Sequence, residues 1–358
     1  MALESFNSFR PVIIADDDLF LQHVAPEEHP ERAARLIAVR QGLALAAQAL
    51  GTTYTKIEFG DADETQLARV HEHAYIESLG HLAGRSGFLD ADTFLSPLSV
   101  AAARRAAGSA VGLVRALAAG QARVGFALPR PPGHHALADR AMGFCLLNNV
   151  AIAAAQARSQ GYERVLVLDW DVHHGNGTEA MFFDDPSVLF VSLHQFPNYP
   201  GTGALSDVGR GAGRGATVNL PLPVGGSDSI YAAAFERVVL PIVEQFGPTF
   251  ALVSCGFDAH ERDPLAEMRL SSAAFGAMAR SLLERLPAAC PLGVVLEGGY
   301  DLTALTESSD AVARALFGAR GPERERAPVG PEQAEPPPEQ LDALSAIGRA
   351  QRPFWKLG

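Results

Sequence analysis

Val165-Leu166-Val167-Leu168-Asp169-Trp170-Asp171-Val172-His173-His174-Gly175-Asn176-Gly177-Thr178 is the stretch whose reading decides the fold. Its first four residues form an apolar run, too short for most helices and suited to a strand buried on both faces. The run breaks into Asp169, Asp171, His173 and His174, then into a Gly-Asn-Gly turn and a helix-like segment. Side chains two apart on an extended chain point the same way, so Asp171 and His173 share a face. A carboxylate and an imidazole on one face at the end of a buried strand are half of a zinc site. Burying them without partners would be costly.

Working outward, short apolar runs alternate with helical segments. Strands are expected at 11–15, 124–128, 165–168, 188–193, 250–254 and 292–296. Helices are expected at 33–50, 70–82, 99–119, 148–159, 229–246, 271–286 and 303–317, with Ser99 as a cap and Gly51 and Gly120 as stops. His71 and His73 lie two apart in a helical stretch, hence on different faces, and read as structural or solvated. Apolar strands alternating with helices specify one α/β domain with a mostly parallel sheet covered on both faces. In such sheets ligands bind beyond the carboxyl ends of the strands. Polar clusters follow the strands here: His134-His135, Asp169 through His173, Ser192-Leu193-His194, Asp258-Ala259-His260 and Glu297 through Tyr300. That repetition predicts one shared site. After Gly318 the composition shifts. Residues 321–338 are rich in Pro, Glu and Arg and read as an irregular wrap or linker, with a short terminal helix at 341–349. The main domain is therefore placed at 1–318 and a C-terminal extension at 319–358.

The 358 residues are 47% hydrophobic, enough for a large core. Net charge is -12 and the pI about 5.4, which suits solubility. No basic stripe interleaved with aromatics occurs, which argues against a nucleic-acid partner. Cys145, Cys255 and Cys290 are too few, and odd in number, for a disulfide framework. The first residues lack a charged n-region and an apolar core, and no run reaches about 18 apolar residues. Neither a signal peptide nor a membrane span is expected, and a cytoplasmic enzyme is the default.

A hydrolytic zinc site uses three protein ligands and one open position. Asp171 and His173 supply two, and Asp258, at another strand end, fits as the third. His134 and His135 sit in a proline-stiffened loop. Adjacent histidines diverge and make awkward joint ligands, but they suit a general base and its electrostatic neighbour. Asp169 is then free to orient one of them. Glu297-Gly298-Gly299-Tyr300 places a tyrosine on a turn whose glycines, Gly298 and Gly299, let backbone approach a ligand. A tyrosine hydroxyl there can donate to a developing oxyanion.

Together PRPPGHHA (129–136), GFCLLNN (143–149), VLDWDVHHGNGT (167–178), VSLHQF (191–196), PGTG (200–203), SCGFDAH (254–260) and LEGGYDL (296–302) resemble the zinc-dependent histone deacetylase superfamily. That superfamily includes bacterial acetylpolyamine amidohydrolases and acetoin-utilisation proteins. The likeness runs from about 11 to 317. HPERAARL at 29–36, Asn176 and Glu297 resemble the class II branch, whereas class I tends to carry Asp and Gly at the latter two positions. The resemblance implies a three-layer arginase/deacetylase fold with a parallel sheet of about eight strands. It implies one catalytic zinc on Asp171, His173 and Asp258, with His134 held by Asp169, His135 as general base then acid, and Tyr300 polarising the acetyl carbonyl. It also implies structural potassium, one ion on Asp169, Asp171, His173, Ser192 and Leu193, and a second near Phe182, Asp185 and Val188. Gly143 and Phe144 match one wall of the acyl-lysine channel and Tyr199 the facing aromatic. Asn176 stands where class I has the aspartate that pairs with the base. A neutral partner raises a histidine's pKa less, so His135 is expected to be neutral near pH 7.

Members selective for acetylpolyamines place a glutamate seven residues after the last zinc ligand; this chain has Leu265, which cannot pair with a distal ammonium. Segment 194–203 is also short. Against this, Asp16-Asp17-Asp18 and Glu27-Glu28 are expected to rim the mouth and attract cations. The expected reaction is hydrolysis of N-acetyl-lysine, in protein or peptide, to amine and acetate by an amidohydrolase of linear amides. An acetylpolyamine amidohydrolase acting on small acetylated amines is the alternative. A catalytically inactive binding protein of the same family is a third reading, disfavoured because ligands, histidine pair and tyrosine are all present. Arginase shares the fold, but its two-metal site needs further Asp and His ligands. Homo-oligomer formation stays open.

Overall fold

Uniformly apolar strands become a sheet with two buried faces. In a computed structural model, residues 12–318 and 335–358 are described. The strands are β1 Val12–Ala15, β2 Tyr54–Lys56, β3 Gly87–Phe88, β4 Phe94–Leu95, β5 Val124–Ala127, β6 Val165–Asp169, β7 Val188–Gln195, β8 Thr217–Leu222, β9 Phe250–Cys255 and β10 Leu292–Leu296. Eight of them form one sheet in the order β2-β1-β5-β10-β9-β6-β7-β8. Every pairing in it is parallel. Successive residues alternate between two cores. Ile14, Leu166, Leu168, Val253 and Val294 enter one, and Ile13, Val165, Val167, Leu252 and Val295 enter the other. Each such side chain contributes about 1.5–3 kcal/mol on burial, so a polar substitution here is costly on either face.

The order explains why distant motifs meet. β5, β10, β9 and β6 are consecutive neighbours at the centre of the sheet. Their carboxyl ends carry, in turn, the histidine pair, Tyr300, Asp258 and the Asp171/His173 pair.

Several elements differ from the sequence expectation. β8 was not expected, because Asn219 and Pro221 interrupt its apolar pattern. It is an edge strand, where a missing N–H is tolerated. β2 is the opposite edge, three residues long and largely exposed. The 229–246 helix is divided into Asp228–Ala234, a π-helical turn Phe235–Val239, and Leu240–Phe246. Pro241 accounts for the break, since it lacks an N–H and its ring crowds the preceding turn. Ser99 does not cap its helix. It is the first residue of Ser99–Ala118, and its hydroxyl accepts from Ser96 N at 2.6 Å and lies 2.7 Å from His23 Nδ1. Only His73–His81 is helical within 70–82. His71 precedes it, with Nδ1 3.0 Å from the Leu137 carbonyl and Nε2 accepting from Asn148 N at 3.0 Å. Burial lowers its pKa to about 4, so it is a neutral structural group.

The helix Pro338–Gln351 packs on β8, and Trp355 Nε1 beyond it donates to the Gly215 carbonyl at 2.9 Å. Residue 11 of the first expected strand and most of the Pro/Glu/Arg-rich stretch, 321–334, lie outside the described residues. Cys145, Cys255 and Cys290 are free and buried. Among the described residues no helix is long and apolar enough to cross a membrane.

Candidate active site

β6 ends at Asp169, and the chain leaves the sheet through Asp171 and His173. β9 ends at Cys255, three residues before Asp258. The three side chains Asp171, His173 and Asp258 are buried and offer ligand atoms all within 4.8 Å of one another. His173 Nδ1 lies 3.2 Å from Asp171 Oδ1 and 3.2 Å from Asp258 Oδ2. Tetrahedral zinc with bonds of about 2.0–2.1 Å has ligand–ligand edges of about 3.3 Å, so this donor set fits zinc. The carboxylates are aimed by backbone. Gly298 N donates to Asp171 Oδ2 at 2.8 Å, and Val172 N to Asp258 Oδ1 at 2.8 Å. Glycine is required around them: a Cβ on Gly298 would stand 2.2 Å from Asp258 Oδ2, and one on Gly256 2.1 Å from Asp171 Oδ2. Burial disfavours a charged His173, but hydrogen bonds and charge from Asp171 and Asp258 raise its pKa to about 10. The next residue, His174, turns away to Thr202 and Glu179.

The loop after β5 presents the histidine pair. His134 Nδ1 lies 3.0 Å from Asp169 Oδ2. Burial opposes its charge, yet Asp171 and Asp169 raise its pKa well above the ordinary value. His135 is different. Burial, then the neighbouring His134 and His173, push its pKa well below the ordinary value. Its Nδ1 is 2.7 Å from Asn176 Oδ1, while Asn176 Nδ2 turns to Met142 Sδ. Nδ1–H therefore donates to Asn176, which leaves the Nε2 lone pair free. The pKa values of two adjacent imidazoles are thus shifted in opposite directions.

Tyr300 follows β10. Burial, followed by the nearby carboxylates, keeps its pKa well above 10, so it remains a donor although Arg35 pulls the other way. Its ring lies over the Arg35 guanidinium at 4.9 Å and meets Phe144 edge-on at 5.8 Å. Its backbone N–H donates to Asp263 Oδ2, while Asp263 Oδ1 accepts from Leu265 N at 3.0 Å. One carboxylate thereby ties the tyrosine turn to the backbone at Leu265. Leu265 is exposed at 36%. The Tyr199 ring stands edge-on to His135 at 5.1 Å and to His173 at 6.2 Å. Gly143, with φ +56°, lets this wall close in, since a Cβ there would lie 2.5 Å from His135 Cδ2 and 3.0 Å from the Tyr199 hydroxyl. Asp169 and Ser192 face each other in the β6–β7 register, both buried, with Leu193 next along.

Residues 29–316 match the Histone deacetylase domain. The chain belongs to the histone deacetylase family. It is 38% identical over 348 residues to histone deacetylase 15 of Arabidopsis thaliana, covering 95% of this chain and 62% of that longer protein. It is 43% identical over 272 residues to the histone deacetylase-like amidohydrolase of Pseudomonas aeruginosa, covering 74% of this chain and 71% of that one. The crystal structure of the HDA15 HD domain superposes with a TM-score of 0.87 at 36% identity, over 97% of this chain and 96% of that one. The sheet order above is thus the sheet of a histone deacetylase domain.

Four features of this family member were not anticipated from sequence. First, Asp16, Asp17 and Asp18 are not a free acidic rim. Arg40 and Lys56 bind Asp16, Arg105 binds Asp17 and Arg40 binds Asp18. Second, Asp90 and Asp92 lie near enough to Tyr199 to raise its pKa further, beyond the effect of burial. Third, Glu297 is fully buried, and burial raises its pKa to about 7. Fourth, Glu31 of HPERAARL is buried between two guanidiniums. Arg130 Nε is 2.6 Å from its Oε1 and Arg35 Nη1 2.9 Å. Burial would raise Glu31, but Arg130 and Arg35 hold it far below the carboxylate range. Glu31→Gln strands two buried cations and is expected to cost about 3–5 kcal/mol near pH 7. The depressed pKa contributes stability above the unfolded value of 4.5 that is lost as pH falls below it. The difference between wild type and variant in chemical denaturation should therefore shrink in acid; a constant difference would contradict the ion-pair account.

Proposed function

We propose that the chain is a zinc-dependent deacetylase that hydrolyses the side-chain amide of N-acetyl-lysine. The observation that carries this reading is a buried donor triad, with His173 Nδ1 3.2 Å from an oxygen of each carboxylate, beside His135, whose ring centroid lies 6.0 Å from that of His173. Zinc held by Asp171, His173 and Asp258 would supply Lewis acidity and lower the pKa of water from 15.7 towards about 7. His135 Nε2 takes the proton of the attacking water as the C–O bond forms. The Tyr300 hydroxyl donates to the carbonyl oxygen as negative charge develops there. His134, held by Asp169, adds positive potential beside the same centre when protonated. His135 then gives its proton to the amine nitrogen as the C–N bond breaks, and acetate and the free lysine leave. Asp169, Ser192 and Leu193, with the backbone of Asp171 and His173, would hold a potassium ion of structural role.

Two points favour acyl-lysine: the position where the resemblance expects a glutamate carries exposed, apolar Leu265, and the 16–18 carboxylates are paired with Arg40, Lys56 and Arg105. Asp90 and Asp92 near Tyr199 favour the second reading, a small acetylated polyamine whose distal ammonium they would attract. Steady-state rates on an acetyl-lysine peptide and on N-acetylputrescine separate the two, with at least tenfold higher kcat/KM expected for the peptide. Tyr300→Phe should lower kcat by about 10²–10³ with little change in KM. Wild-type turnover in that variant would remove the tyrosine from the mechanism.

A further inference from the structure

We propose that Glu297 is a positioning residue, whose carboxylate locks the His134–His135 loop to the Tyr300 turn and so sets the spacing of base and oxyanion donor. The functional consequence rests on the amidohydrolase reading; the lock itself does not.

The loop 129–135 is short of donors. Pro129, Pro131 and Pro132 have no N–H. β5 and β10 pair up to Ala127 and Val295, after which the two backbones part. Glu297, just past the end of β10, reaches across the gap. Its Oε2 accepts from Gly133 N at 2.7 Å and from His134 N at 3.2 Å. The same residue is fixed from below, because its N–H donates to the Cys255 carbonyl at 3.0 Å and its carbonyl accepts from Arg35 Nη2. Tyr300 is three residues further on.

A second tie runs in parallel. Arg130, in the histidine loop, shares Glu31 with Arg35, and Arg35 Nε holds the Gly299 carbonyl beneath Tyr300. The Glu297 tie is direct and depends on reach. Aspartate keeps the carboxyl group but is shorter by about 1.5 Å, one carbon–carbon bond. Glutamine keeps the reach and an acceptor. A displacement of about 1 Å at a reacting group can cost 10²-fold in rate.

The test compares wild type with E297D, E297Q and E297M in the full chain reconstituted with zinc. Hydrogen exchange of the Gly133 and His134 amides, zinc content, kcat and KM on an acetyl-lysine peptide are measured together. E297D and E297M (the latter of matching length without an acceptor) are expected to lose amide protection. Both should lose about 10–100-fold in kcat, with KM within about twofold and full zinc. E297Q is expected to rescue both protection and kcat. Unchanged exchange or unchanged kcat in E297D and E297M, or a tenfold fall in E297Q, overturns the proposal. If wild type turns over no acetyl amide, the amidohydrolase reading fails, while exchange still reports whether Glu297 holds the loop.

Discussion

Asp258→Asn is expected to eliminate zinc binding and to reduce turnover to background while leaving the fold in place. Asp258 has two separable jobs. Its Oδ1 accepts from Val172 N, a bond that the asparagine carbonyl can keep. Its Oδ2 is the donor facing His173, and asparagine cannot supply a charged oxygen there. With one carboxylate and one imidazole left, the donor set falls to the two residues that follow β6. The direct readout is thermal unfolding against added zinc. Wild type should gain about 2.7 kcal/mol at a free zinc concentration of 100 Kd. Asp258→Asn should gain nothing over that range. Ligands must be deprotonated to bind, so the wild-type gain should weaken as pH falls. Equal stabilisation of wild type and variant by zinc would disprove the three-residue assignment.

What the chain discloses before folding follows from which interactions are local. β5, β6, β9 and β10 are legible because a strand buried on both faces must be an apolar run, and a polar cluster at its end is conspicuous. Asp171 and His173 are two apart, so their shared face is a consequence of the strand period. The edge strands are less legible. β8 tolerates Asn219 and Pro221 because only one of its sides pairs, which removes the apolar signature. Glu31 and Arg130 are separated by 99 residues and Glu297 and Gly133 by 164. Nothing in a local pattern announces such partners, since each contact exists only once the fold brings distant segments together, β5 beside β10 in the case of Glu297 and Gly133. The same limit misjudged the 16–18 aspartates. As sequence they are an acidic run; in the fold Arg40, Lys56 and Arg105 approach from the helices and the neighbouring edge strand.

His135→Ala should lower kcat by about 10²–10⁴, the usual range for losing a positioned general base. Zinc content should be retained, because His135 is not among the three ligands. The pH dependence is the sharper test of its role. The base is active only when neutral, so kcat/KM must fall as pH drops through the pKa of His135. Burial and the neighbouring His134 hold that pKa below the ordinary value, so the acid limb should lie below neutrality. Asn176 is the handle. It accepts the Nδ1–H at 2.7 Å without contributing charge. Asn176→Asp puts a carboxylate at the same distance, stabilises the imidazolium and raises the pKa by roughly 1–3 units. The acid limb of Asn176→Asp should therefore move to higher pH, with the plateau rate less affected than the midpoint. In His135→Ala that limb should vanish along with most of the rate. An acid limb that stays in place in Asn176→Asp would mean that another group, not His135, accepts the proton.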